Sequence, residues 1–247
     1  MPPGAEPVVV GIGADDDHRG VVDVAADEAV RLRTYLRLVH AYSVPPSTIG
    51  GLYGYDFPAS FEQAGEALLD RAAAGALASH PGLDVRRVLE RGTAPALLEE
   101  QSRSAQLVVV GQDLEKPLLA RMHEGRAATH LARHSHCPVL VVPSTWTRER
   151  PPGDVVAVLD TEHPDHAAHD YAAGVARDRG LRLRIESIDL RAGHDSARTV
   201  VEAVRAARDE AELIVIGQGP AAGWSGLRGS LGHTVVPEAT CPVVICC

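Results

Sequence analysis

"AQLVVVGQ" (105–112) and "AELIVIGQ" (211–218) are two versions of one stretch. Each is a short apolar run, rich in β-branched residues, that ends in Gly-Gln. Such a run reads as a buried strand passing into a loop. A second pair lies beyond them: "SHCPVLVV" (135–142) matches "ATCPVVIC" (239–246). The spacing agrees too, because Gly125 to Cys137 and Gly229 to Cys241 both span twelve positions. A period this long is no solenoid unit and fits two tandem domains.

The elements around these strands alternate. "PVVVGIG" (7–13) is predicted as a strand, and 20–33 as a helix with Val21, Val24, Ala25, Glu28 and Leu32 at helical spacing. A strand at 35–42 comes next, then a helix over roughly 60–79 and an alternating, edge-like strand at 84–92. A helix at 94–104, a strand at 106–111, a helix at about 125–134 and a strand at 137–143 complete the first cycle. "STWTRERPPGD" (144–154) is polar, carries Pro151, Pro152 and Gly153, and reads as a linker. The cycle then restarts with a strand (154–160), a helix (165–180), an alternating strand (181–190), a helix (196–211) and a strand (212–217). Between 190 and 196 there is no room for a further helix and strand, so the second copy is expected to lack one helix and the edge strand. The expected fold class is α/β, with two tandem doubly wound parallel-sheet domains of about five and about four strands. Their predicted bounds are 1–145 and 154–247, joined by a linker at 146–153.

Composition narrows the function. The chain has 247 residues, is 45% hydrophobic and 23% charged, and carries a formal net charge of −9. That balance suits a globular protein and disfavours a nucleic-acid surface, which needs a basic face. No run approaches the ~20 apolar residues of a membrane-spanning helix, and no signal peptide is visible. The four cysteines, Cys137, Cys241, Cys246 and Cys247, form no C-x-x-C pair. Cys137 and Cys241 each precede a Pro-Val run and read as buried thiols rather than a disulfide framework. The adjacent Cys246 and Cys247 could oxidise, though no oxidising compartment is indicated. A cytoplasmic protein is expected.

The order of strand, acidic turn and helix, then "VVVG", a Gly-rich loop, Gly-Ser, a helix and "CPVLVV", resembles the universal stress protein family, here as a tandem, two-domain member. The resemblance covers nearly the whole chain. It implies an adenine nucleotide alpha hydrolase-like fold that binds ATP or AMP in some members and no nucleotide in others. The family signature is an Asp at the end of the first strand, then G-x-x-G, about nine residues, and G-S/T. Chemically, phosphate oxygens need several backbone N–H groups aimed at one point, and a Gly loop opening a helix supplies them.

By that resemblance the second copy keeps Asp160 at the end of its first strand, with Thr161 next to it, and Gly217, Gly219, Gly229 and Ser230 around its loop. Pro220 stands where a glycine is expected and removes one N–H donor. The first copy is more eroded. Gly13 replaces the strand-end Asp, with Asp15, Asp16 and Asp17 after it, Leu114 replaces a glycine, and Arg126 replaces Ser/Thr. His163, His166 and His169 lie three apart, which is poor spacing for a three-ligand metal face. His130 and His134 suit a helix C-terminus. No P-loop, nucleophile elbow or base–nucleophile pair is present, so neither a catalytic residue nor a protein-held metal is predicted.

The first functional reading is therefore a stress-related regulatory protein, not an enzyme, that binds ATP or AMP, with or without Mg²⁺, in its second copy. A weak ATPase is carried by analogy alone. The alternative is a scaffold or interaction protein of the same fold with no cofactor. In the family the fifth strands commonly pair across a dimer. That implies an internal pseudo-dimer joining 139–142 to 243–246, with further homodimerisation open.

Overall fold

Valine-rich runs flanked by helices are buried on both faces, and in the computed structural model of the chain they form parallel strands. The structure describes residues 5–14, 19–43, 57–112, 127–147, 152–190, 196–217, 235 and 238–246. By its internal contacts the chain divides into two compact units, Met1–Val110 and Gly111–Cys247.

The first unit contains β1 (Val8–Gly11), α1 (Arg19–Arg31), β2 (Leu36–Tyr42), α2 (Phe57–Ser79), β3 (Val85–Arg91), α3 (Ala94–Ser102) and most of β4 (Leu107–Gln112). Its strands lie in the order β3-β2-β1-β4 and are all parallel. The chain steps outward from β1 to β3, then reverses across β1 to reach β4. Right-handed crossovers therefore put α1 and α2 on one face and α3 on the other. α1 and α2 pack together, and α2 lies on β2 and β3. Val8, Val9, Val10, Leu36, Leu38, Leu107, Val108 and Val109 are wholly buried between the helical layers.

The second unit carries helical residues 127–134 (α4), β5 (Val139–Pro143), β6 (Asp154–Asp160), α5 (His166–Arg179), β7 (Leu183–Ile188), α6 (Ser196–Ala207), β8 (Ala211–Gly217) and β9 (Val243–Cys246). Its strand order is β5-β9-β8-β6-β7. All neighbours here are parallel except β5 and β9, which are antiparallel with Val139 opposite Ile245 and Val141 opposite Val243. The pairing expected between 139–142 and 243–246 is thus present, and it explains why β5 clusters with the second unit.

The α/β architecture is as expected, with strands β1–β5 in the first half of the chain and β6–β9 in the second. Among the described residues the second copy has no counterpart of α2 and β3. The predicted helix 196–211 ends earlier, at Ala207. Glu210 closes a turn on the Ala207 carbonyl (3.1 Å), and Ala211 already belongs to β8, opposite Asp154. Trp146, placed by the sequence in the linker, is buried, and its N–H donates to the Pro143 carbonyl (3.0 Å). No helix among the described residues is long and apolar enough to cross a membrane.

Candidate functional site

In the second unit the chain leaves β6 toward β7 and returns past it to β8, so the strand order reverses between β6 and β8. Ligands of open α/β sheets bind beyond the carboxyl ends of strands at such a reversal. Two predicted site residues lie there. Asp160 is the last residue of β6 and Gly217 the last of β8.

Asp160 is buried, at 4% exposure. Its Oδ1 accepts a long hydrogen bond from the Leu190 N–H (3.4 Å), and His163 Nδ1 lies 3.7 Å from its Oδ2. Glu28 makes the contrast clear. At 1% exposure its Oε2 takes two donors from Arg31, at 2.7 and 3.0 Å. A buried carboxylate needs such partners to offset its lost hydration. Among the described residues Asp160 has only distant ones, which leaves it with acceptor capacity at the mouth of the sheet.

Thr161 ties the end of β6 to β7: its N–H and its Oγ1 hydroxyl both donate to the Ile188 carbonyl at 2.8 Å. Its hydroxyl proton is thereby committed, and only its lone pairs remain for a ligand. Gly217 is held close to α5. A β-carbon there would sit 2.5 Å from the Asp165 Cβ and 3.0 Å from the Ala168 Cβ. Asp165 is the N-cap of α5 and accepts the Ala168 N–H at 3.1 Å. The glycine lets the end of β8 and the start of α5 meet.

Gly219, Pro220, Gly229 and Ser230 lie outside the described residues, as do Asp15 to Asp17, Leu114, Gly125 and Arg126 of the first copy. The histidine series is dispersed in function: His163 faces Asp160, and His169 lies 3.2 Å from Asp170. No cluster of three metal-ligating side chains occurs among the described residues. The His130 and His134 rings lie against each other, with centroids 4.6 Å apart. Cys137, Cys241 and Cys246 are buried.

Sequence reasoning missed the Leu190 amide, His163 and Asp165 as neighbours of the site. Asp165 alone carried a readable signal, a capping residue just before a helical run. Leu190 reaches Asp160 only because β7 lies beside β6.

A family model described as the universal stress protein family matches residues 4–143. Over 265 aligned residues the chain is 29% identical to the universal stress proteins Rv2624c (strain H37Rv) and MT2699 (strain CDC 1551) of Mycobacterium tuberculosis, covering 95% of this chain and 94% of each relative. Among solved structures, a universal stress protein from Archaeoglobus fulgidus DSM 4304 superposes with a TM-score of 0.69 at 14% identity, covering 98% of this chain and 96% of that one. A second, from Pseudomonas aeruginosa UCBPP-PA14, gives 0.52 at 16% identity, covering 98% and 94%. The two structures speak for the fold alone. The repeat, the strand order and a family match over more than half of the sequence agree, and the chain belongs to the universal stress protein family.

Proposed function

We propose that this protein is a stress-related regulator that holds ATP or AMP in its second copy, at the carboxyl ends of β6 and β8. The observation that carries this reading is Asp160, a buried carboxylate with spare acceptor capacity at the reversal of strand order. Ribose hydroxyls or the adenine amino group would supply the donors that the protein does not. Thr161 and Gly217 border the same place, and the resemblance assigns Gly219, Gly229 and Ser230 to the phosphates. Mg²⁺ would enter with the phosphates rather than on a protein ligand set. The first copy, with Gly13 and Arg126 in place of the acid and the hydroxyl, is the degenerate partner.

The test has two steps. Heat-denatured, purified protein should release an adenine nucleotide, and a calorimetric titration of stripped protein should show one site. Asp160→Ala should weaken that site about tenfold or more, the cost of losing hydrogen bonds to a charged group. Affinity unchanged by Asp160→Ala would sink the assignment.

A second reading, a ligand-free interaction protein of the same fold, is favoured by Gly217. Its lack of a side chain is accounted for by Asp165 and Ala168 without any phosphate. This reading expects no thermal shift with ATP or AMP, with or without Mg²⁺. We further propose that the duplicated halves run 1–145 and 154–247, with residues 146–153 joining them. The antiparallel pairing of β5 with β9 supports reading these last strands as the seam of an internal pseudo-dimer.

A further inference from the structure

Loss of a helix and a strand from the second copy leaves one strand incomplete. Within its unit β7 is the terminal strand, paired with β6 alone among the described residues. The matching strand β2 has β3 on its far side and α2 over one face.

Register aligns the two strands residue by residue. Leu107 of β4 corresponds to Leu213 of β8 in the repeat, and they lie opposite Val8 and Val155. Val8 in turn faces Leu36, and Val155 faces Leu183. Leu38 therefore corresponds to Ile185, and His40 to Ser187. The face they share is the one that α2 covers, because a β-carbon at Gly65 of α2 would lie 3.1 Å from the His40 ring. Leu38 is fully buried there, whereas Ile185 is 48% exposed.

The free edge also has a defined hydrogen-bond pattern. Val155 donates to the Arg182 carbonyl (2.9 Å) and Thr161 to the Ile188 carbonyl (2.8 Å). Even-numbered residues of β7 thus point their backbone groups at β6. Alternation turns the N–H and C=O of Leu183, Ile185 and Ser187 outward.

We propose that this edge pairs with the same edge of a second copy of the chain, antiparallel, with the two-fold axis at Ile185. In that register Ile185 meets Ile185 and exchanges both hydrogen bonds, as the outward groups require. Arg184 of each copy lies opposite Glu186 of the other, in the closely spaced, non-hydrogen-bonded position where side chains interact best. The charges select this register. Shifting it so that the axis falls at either neighbour sets Arg184 against Arg184 or Glu186 against Glu186. Arg184 now lies 3.4 Å from Glu186 of its own strand and 2.7 Å from Glu210, and pairing would turn its guanidinium from Glu210 toward the partner copy. Pairing would also set two Ile185 side chains against each other on the face where, among the described residues, the second copy has no counterpart of α2. This interface is independent of any nucleotide.

Sedimentation velocity on the full chain tests it. Wild type is expected to associate to a dimer as its concentration rises. Arg184→Glu should weaken association about tenfold or more, since two attractive cross-strand pairs become repulsive. Glu186→Arg should do the same, and the double exchange Arg184→Glu/Glu186→Arg should restore it. Ile185→Pro removes the outward N–H at the axis while leaving the bonds to β6, so it should give a folded monomer. A wild type that stays monomeric overturns the proposal. So does a dimer indifferent to both the charge exchange and Ile185→Pro, or an edge that takes only an extended peptide.

Discussion

Leu38 and Ile185 occupy the same register position in the two copies of one duplicated fold, yet one is sealed and the other half in water. Nothing in the two residues explains this. Both are branched aliphatics in parallel strands, each paired with the first strand of its copy. The difference lies in the chain beyond each strand: after β2 come α2 and β3, whereas after β7 the chain goes almost directly to α6. A strand's inner face is a property of the layer packed on it, and a deletion can expose that face without altering it.

The largest expected effect compares these two residues directly. Leu38→Ala should cost about 2–5 kcal/mol of stability, the usual range for truncating a sealed core leucine. Ile185→Ala, measured by denaturant unfolding at concentrations where the chain is monomeric, should cost well under that, about 0.5 kcal/mol. Equal losses would break the comparison and show that Ile185 is covered in solution.

Next is the start of each central strand. By register, Gly153 corresponds to Glu6. The ladder between β6 and β8 shifts at Asp154/Val155, and a β-carbon on Gly153 would run into the Glu210 carbonyl. Gly153→Ala should therefore cost about 1–3 kcal/mol, seen as a fall in Tm. Glu6→Ala should stay within about 0.5 kcal/mol, because Thr34 and Gln106 bond only to the Glu6 carbonyl.

The smallest effect is electrostatic. Asp154 receives two donors from Arg182, at 2.7 and 3.0 Å, and Pro7 occupies the matching place in the first copy. The Arg182 hydrogen bonds, ahead of its charge, hold the Asp154 carboxyl below its usual range. A depressed carboxylate contributes stability above its unfolded value, near pH 4, and loses it as pH falls through the folded value. Asp154→Asn should therefore flatten acid unfolding slightly in thermal melts below about pH 4, and salt should shrink the difference, because the pair is exposed. A melt profile identical to wild type would show the pair to be idle.

Much of this architecture is legible in the chain. The Val-Ile runs, the repeat "AQLVVVGQ"/"AELIVIGQ" and the short span between 190 and 196 specify the strands, their duplication and the missing helix and strand. Boundaries were less legible where a strand begins early, as at Ala211, since pairing with Asp154 ended α6 before its apolar pattern did. Of the candidate site, Asp160 and Gly217 were readable by position at strand ends. Gly217 looked like part of a phosphate loop, and the Asp165 Cβ gave it a packing role that spacing alone could not show.

The sequence by itself determined the class of fold and the tandem organisation, because apolar periodicity and a repeated spacing are local properties of the chain. Only the tertiary structure decided that Asp160 is buried with distant partners, that Thr161 has committed its proton to Ile188, and that β7 presents the outward groups of Ile185. Those facts depend on which strand lies beside which, across roughly thirty residues of intervening chain in each case. Burial and hydrogen-bond supply are set by neighbours in space, which local patterns do not name.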